Sequence, residues 1–171
     1  MHSGEKIKMQ KLKLTEEEIY NLIANIPDPE IPVITIEDLG VLREVKLEDD
    51  KVIVLITPTY SGCPAMKTIE DDIKTILHQS GVQNFEVKTV FSPVWTTDWM
   101  SEESKEKLRK YGISPPEKSS TDKSSLTSNV VFCPRCTSSN TELVSQFGST
   151  ACKALYKCKD CLEPFDHFKC H

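Results

Sequence analysis

Three stretches of the chain place apolar side chains at the three- and four-residue spacing of an amphipathic helix. The first begins at Thr15, and Glu18 follows three residues later, which is the pattern of an N-terminal capping box. Gly81 follows the second stretch and Gly112 lies near the end of the third, and glycine is common where helices end. The predicted helices comprise residues 15–26, 63–80 and 101–113.

Three other stretches have the periodicity of β-strands. Residues 41–47 and 84–91 alternate apolar and polar positions, as half-buried strands do. Residues 52–57 form a nearly continuous apolar run rich in β-branched side chains, which is typical of a central strand. The turn between the first two strands is short, so they are predicted to form a hairpin. The order α-β-β-α-β-α predicts an α+β fold, a small sandwich with the helices packed on one face of a mixed sheet.

The character of the chain changes after the third predicted helix. Residues 114–130 are rich in proline, serine and lysine and lack apolar periodicity, which indicates a linker. The segment beyond the linker is rich in cysteine. We therefore predict an α+β domain at residues 12–113 and a small ribbon domain at residues 131–171. We expect the linker to let the two domains fold independently.

Composition and charge narrow the range of functions. Of the 171 residues, 38% are hydrophobic and 27% are charged, and the net charge is −5. This charge disfavours binding to nucleic acids, which requires clustered lysine and arginine. No apolar run approaches the roughly 18–20 residues that span a bilayer, and the basic N-terminus lacks a signal-peptide core. We therefore expect a cytoplasmic protein that binds neither nucleic acid nor membrane, in which paired cysteines are metal ligands rather than disulfides.

Two Cys-x-x-Cys pairs form the strongest motif of the sequence, Cys133 with Cys136 and Cys158 with Cys161. Each pair can approach one ion from a single tight turn, and two pairs supply the four thiolates of a tetrahedral site. The intervening segment can form a hairpin that brings the pairs together. The spacing predicts a zinc ribbon whose ion supplies much of its folding energy, although iron would accept the same ligands.

Cys152 and Cys170 exceed this count of four ligands. They are either small side chains that pack as apolar groups, or a further pair of thiols with His167 or His171 beside them. The sequence leaves both possibilities open.

The remaining cysteine, Cys63, lies in the stretch TYSGCPAM between the central strand and the second helix. Pro64 follows it, and proline is favoured at the first helical position, so Cys63 is predicted to occupy the N-cap. The positive end of the helix dipole would then lower the pKa of the thiol. A thiolate at this place is a nucleophile or a ligand for a soft metal, and the alternative is an inert, buried cysteine.

A second group of candidates lies in the proline-framed loop PDPEIP. The carboxylates of Asp28 and Glu30 could orient or bind a metal ion. They could equally form hydrogen bonds that shape a turn.

The stretches DPEIPVITIEDLGVLREVKL and ITPTYSGCPAM resemble the SufT-like iron–sulfur assembly domain, over residues 15–112. With SPVWTTDWMSEESKEKLRKYGISPP and the tail FGSTACKALYKCKDCLEPFDHFKC, the chain is similar to the branch of this family that is encoded with the bacterial phenylacetyl-CoA epoxidase. The resemblance implies an α+β fold for the first domain and an accessory role in aerobic phenylacetate degradation.

The resemblance also implies a set of site residues. The reactive cysteine of the family corresponds to Cys63, and its acidic motif corresponds to Asp28 and Glu30. Thr57 and Thr59 lie just before the cysteine. The implied partners are the di-iron oxygenase and the flavin/[2Fe–2S] reductase of the epoxidase. The sequence agrees with an accessory part, because it has no Glu-x-x-His pair of the di-iron type and no glycine-rich dinucleotide loop.

Taken with this resemblance, the leading hypothesis is a maturation factor that transiently holds iron or an iron–sulfur cluster at Cys63 and delivers it to the epoxidase. One thiolate does not hold a cluster, because clusters usually have four protein ligands. A homodimer with two Cys63 thiolates, the spare Cys152 and Cys170, or a partner protein must therefore contribute. The alternative is a structural subunit of the epoxidase in which Cys63 is incidental. A thiol oxidoreductase is disfavoured, because Cys63 has no resolving cysteine near it in the sequence.

Overall fold

A computed structural model describes residues 14–116 and 130–169. The helices are α1 (Glu16–Ala24), α2 (Ala65–Gln79) and α3 (Glu102–Tyr111), with a 3-10 turn at Thr97–Trp99. The strands are β1 (Leu42–Glu48), β2 (Lys51–Ile56), β3 (Phe85–Thr89), β4 (Ile113–Ser114), β5 (Thr141–Ser145), β6 (Lys153–Cys158) and β7 (Pro164–Phe168). Within these described ranges, no helix combines the length and the apolar character that a bilayer crossing requires.

The first sheet has three strands in the order β1-β2-β3. β1 and β2 are antiparallel and form the predicted hairpin, whereas β2 and β3 are parallel. Val54, in the centre of β2, lies opposite Val45 on β1 and Val87 on β3. The α+β fold with a mixed sheet, predicted from the periodicity, is confirmed.

Local signals in the sequence explain where the helices begin and end. The Thr15 side chain accepts a hydrogen bond from the Glu18 backbone N–H, and the Glu18 carboxylate accepts one from the Thr15 backbone N–H. This is the predicted capping box of α1. α3 ends at Gly112, whose φ of +95° is a left-handed conformation that glycine adopts without strain. The apolar faces of α1 and α2 are buried in one core with the sheet.

The second sheet joins the two parts of the chain. Its strand order is β4-β7-β6-β5, so β4, which directly follows α3, pairs in parallel with β7 of the cysteine-rich segment. Ser114, the first residue of the predicted linker, lies in β4 and is buried. The predicted boundaries remain a prediction, and residues 117–129 lie outside the described residues. The expected independence of the two domains is wrong, because they share this sheet.

The two parts also share a hydrophobic core. Phe168 at the end of β7 is buried against the core of the first part, as is Cys152 just before β6. The Phe168 ring meets Trp95 edge to face, with 6.1 Å between ring centroids. Trp95 is fixed in turn by its indole N–H, which donates to the Leu39 carbonyl at 2.7 Å. Sequence composition could not reveal this contact, because it joins segments that are far apart along the chain.

We expect Phe168→Ala to destabilise the whole protein by about 3–5 kcal/mol, the usual cost of removing a buried phenylalanine side chain. Both tryptophans, Trp95 and Trp99, belong to the first part, so their emission reports its unfolding. In urea, the midpoint given by tryptophan emission should fall together with the midpoint given by far-UV circular dichroism.

Phe147→Ala is the matched control, because Phe147 is 62% exposed in the same cysteine-rich segment. Exposed substitutions usually change stability by about 0.5 kcal/mol or less. If Phe168→Ala left the tryptophan midpoint unchanged, the shared core would be refuted.

Candidate functional site

Cys63 lies in the connection between β2 and α2 and is half-buried. The helix begins at Ala65, and Pro64 takes the N-cap position with helical φ and ψ of −68° and −24°. The predicted N-cap role of Cys63 is therefore wrong: proline itself starts the helical conformation, and the cysteine lies one residue earlier. The sulfur still accepts hydrogen bonds from the Ala65 backbone N–H and the Tyr60 hydroxyl.

Asp28 shapes the loop that faces this cysteine. The side chain is 7% exposed, and Oδ1 accepts the backbone N–H groups of Glu30 at 2.9 Å and Ile31 at 2.8 Å. These two hydrogen bonds form the turn that was one of the two possible roles of Asp28. They also hold Glu30 at a fixed place beside the turn.

A pocket between the two parts of the chain brings most of the predicted site residues together. It is lined by the polar side chains of Asp28, Glu30, Thr59, Cys63 and Cys152, and by apolar side chains that include Leu39, Met66 and Phe168.

Thr57 does not line this pocket. It is buried, and its hydroxyl donates to the Val90 carbonyl at 2.7 Å, which fastens β2 to the end of β3. Of the two threonines suggested by resemblance, the structure therefore brings only Thr59 to the cysteine. Cys170 and His171 lie outside the described residues. His167 is on β7, where its ring packs against Tyr156 at 5.6 Å between centroids.

Cys152 reaches the pocket from the cysteine-rich segment. Its Sγ donates to Glu30 Oε2 at 3.4 Å and lies 3.1 Å from the Thr150 hydroxyl oxygen. The sequence left the role of Cys152 open, since nothing local connects it to a glutamate 122 positions away. Tyr60 was missed altogether, although its position three residues before Cys63 in TYSGC was the available signal.

Burial and charge oppose ionisation of both pocket thiols. Burial raises the pKa of Cys63, and the charges of Glu30 and Asp28 act in the same direction. The hydrogen bonds from Ala65 and Tyr60 lower the pKa but do not reverse the shift. The expected low pKa of Cys63 is therefore wrong. Sequence reveals the start of a helix, but not the desolvation or the carboxylates that gather around it.

The neighbours of Cys63 have shifted pKa values as well. Burial, followed by the nearby Glu30, raises the pKa of Cys152 to about 11. Burial, followed by the charge of Cys63, raises the pKa of Tyr60 to about 12. Burial also raises the pKa of Asp28, although its two backbone hydrogen bonds lower it. Near neutral pH, both thiols and the phenol thus keep their protons until something replaces them. A metal does so, because its thiol ligands deprotonate on binding.

The second sulfur site is the ribbon. The Sγ atoms of Cys133, Cys136, Cys158 and Cys161 all lie within 4.8 Å of one another, which suits a four-coordinate ion. Backbone N–H groups support the knuckle. The Cys161 N–H donates to the Cys158 sulfur at 3.5 Å and is the main cause of a Cys158 pKa lowered to about 7. The predicted metal-binding quartet is confirmed as a cluster. In the part of the chain that the structure describes, only these groups have single-ion spacing.

Comparison with known proteins follows this division of the chain. Residues 16–90 match the family "Iron-sulfur cluster assembly protein", and residues 117–169 match the "PaaD zinc beta ribbon domain". Over 153 residues, the chain is 49% identical to an Escherichia coli K12 protein named as a putative component, the fourth or D component, of 1,2-phenylacetyl-CoA epoxidase, covering 90% of this chain and 92% of the relative. The chain belongs to the PaaD family of phenylacetyl-CoA epoxidase components. The resemblance proposed from the sequence is confirmed.

The first part of the chain has further relatives. It is 40% identical over 80 residues to "Fe-S protein maturation auxiliary factor SufT" of Staphylococcus aureus USA300, covering 46% of this chain and 90% of that protein. The crystal structure of a "Domain of Unknown Function DUF59" from Bacillus anthracis is similar, with a TM-score of 0.50 and 29% identity. That match covers 54% of this chain and 90% of the other. The pocket cysteine therefore lies in the part shared with maturation factors, whereas Cys152 lies in the ribbon.

We expect Cys63 to be alkylated by iodoacetamide with a pH midpoint above about 8.5, the value of a free cysteine, because burial and the two carboxylates disfavour its thiolate. The modification of Cys63 is followed by peptide mass spectrometry with every other cysteine left in place. Glu30→Gln removes one of the opposing charges and should lower the midpoint.

Glu48→Gln is the control, because Glu48 is an exposed residue of β1. It should leave the Cys63 midpoint unchanged. A midpoint below about 8.5 in the unmodified protein, lower than that of a free thiol, would contradict the effect of burial and charge in this pocket.

Proposed function

We propose that this protein is an accessory factor that holds an iron ion or an iron–sulfur cluster at the Cys63 pocket and transfers it to components of a phenylacetyl-CoA epoxidase. The main support is the position of the pocket. It is built around the cysteine of the segment that matches iron–sulfur assembly proteins, and it also contains Asp28, Glu30 and Thr59.

The chemistry of the two sulfur sites supports this division of roles. A carrier must bind its cargo and later release it, so its ligand set should be incomplete. The ribbon offers four closely spaced thiols and leaves no open position, which is typical of a structural site. The Cys63 pocket has fewer ligands, mixes sulfur with carboxylate oxygen, and is partly open to solvent. We therefore assign the cargo to the pocket and a resident zinc ion to the ribbon.

The proposed partners are the di-iron oxygenase and the flavin/[2Fe–2S] reductase of the epoxidase, with the protein located in the cytoplasm. Homodimerisation would place two Cys63 pockets in one assembly. A second candidate function, a structural subunit of the epoxidase, draws support from exposed apolar side chains. Phe91 is 63% exposed and Val94 is 77% exposed, and such side chains suit contact with another protein.

The central test replaces the cargo ligand in cells. We expect Cys63→Ser to reduce phenylacetyl-CoA oxidation at least tenfold in a strain that depends on this gene. The substitution nearly keeps the volume of the side chain, so its effect on folding should stay near about 1 kcal/mol or below. The purified variant should keep one zinc ion per chain by elemental analysis, and the epoxidase components from the same cells should be deficient in iron.

Ser61→Ala is the matched control, because Ser61 is exposed in the same turn. It should leave epoxidase activity and iron content unchanged. Normal oxidation in Cys63→Ser cells would reject the carrier function and leave the structural subunit as the better account.

A further inference from the structure

The Cys63 pocket is built from two distant parts of the chain. One wall comes from the assembly-factor segment and includes Glu30 and Cys63, and the other comes from the ribbon and includes Cys152 and Phe168. The ribbon thus does more than follow the first part. It closes one side of the pocket and brings a second thiol to it.

The position of Cys152 is fixed by the ribbon fold. Its carbonyl accepts the Lys169 backbone N–H at 3.0 Å, and the next residue, Lys153, pairs with Phe168 between β6 and β7. Cys152 is only 5% exposed. Its sulfur therefore lies at one place, set by the same two strands that hold the seam between the parts.

The contacts of Cys152 favour a ligand over a simple packing residue. A cysteine that only fills space is surrounded by apolar groups. The Cys152 sulfur instead donates to the Glu30 carboxylate and lies beside the Thr150 hydroxyl, while also lining the pocket that contains Cys63. Two thiols and a carboxylate thus face one space, and thiolates are the ligands that iron–sulfur clusters and soft metal ions prefer.

The spacing of these groups indicates the kind of cargo. In the described chain the pocket groups do not form a set with the close, single-ion spacing of the ribbon sulfurs. A cluster contains several iron atoms and can be bound by ligands that are further apart than those of one ion. The pocket therefore favours an iron–sulfur cluster over a bare iron ion. Two sulfur ligands are fewer than the usual four, which leaves the cluster with positions that an acceptor protein can occupy.

We propose that Cys152 is the second sulfur ligand, so that an iron–sulfur cluster is bound by Cys63 of the assembly-factor segment and Cys152 of the ribbon within one chain. This inference rests on the proposed carrier function and specifies its cargo and its ligands. It also gives the ribbon a role in the chemistry, because the fold around its four-cysteine site positions Cys152.

The test is anaerobic reconstitution of the full-length, zinc-loaded protein with ferrous iron and sulfide, followed by desalting. Visible absorption and iron content measure the cluster that remains. We expect Cys63→Ser and Cys152→Ser each to retain at least tenfold less cluster than the unmodified protein. Cys170→Ser is the matched control, since it also removes a cysteine outside the ribbon quartet, and it should retain the cluster.

A second measurement uses the unmodified protein without iron. Dibromobimane alkylates two neighbouring thiols with loss of two bromide ions, and it becomes strongly fluorescent only when both have reacted. Mass spectrometry of the digested product should find Cys63 and Cys152 joined by the reagent. This measurement needs no variant to fold, and failure to join the two residues would overturn the proposal.

The outcomes separate this inference from the proposed function. If Cys63→Ser loses the cluster and Cys152→Ser keeps it, Cys152 is not a ligand, while the carrier function stands. If Cys170→Ser loses the cluster and Cys152→Ser does not, the second sulfur is the wrong one. If the unmodified protein and both single variants bind cluster equally, the pocket is not the cargo site and both proposals fail.

Discussion

The structure depends on the seam between the assembly-factor segment and the ribbon. Phe168 and Cys152 are inserted into the core of the first part, where Phe168 meets Trp95 and Cys152 donates to Glu30. β4 strengthens the seam because it follows α3 directly and pairs with β7. The candidate pocket lies at this seam, so its chemistry requires that the two parts stay docked.

Two sulfur sites with different surroundings follow from this arrangement. The ribbon quartet is compact, and backbone N–H groups help the Cys158 thiolate. The pocket thiols are desolvated and face carboxylates, so burial raises the pKa of Cys63 and of Cys152. A site of the first kind keeps its ion. A site of the second kind binds a metal only by exchanging protons for it, which suits cargo that is taken up and released.

How much could be predicted from the sequence depended on how local each interaction is. The capping box of Thr15, the β1–β2 hairpin and the Cys-x-x-Cys knuckles involve neighbours along the chain, and periodicity and spacing revealed them. The roles of Cys152 and Phe168 depend on contacts between distant segments. The pKa of Cys63 was predicted in the wrong direction for the same reason, since burial and the charge of Glu30 arise only in the folded chain. Composition correctly indicated a change of character after α3, but it could not show that the flanking parts dock.

The most direct test of this account is a crystal structure of the cluster-loaded protein, with iron located by anomalous scattering at its absorption edge. The account predicts iron within bonding distance of the sulfurs of both Cys63 and Cys152, and no iron in the ribbon quartet. Iron bonded to Cys63 while Cys152 keeps its contact with Glu30, or iron found only among the four ribbon sulfurs, would contradict it.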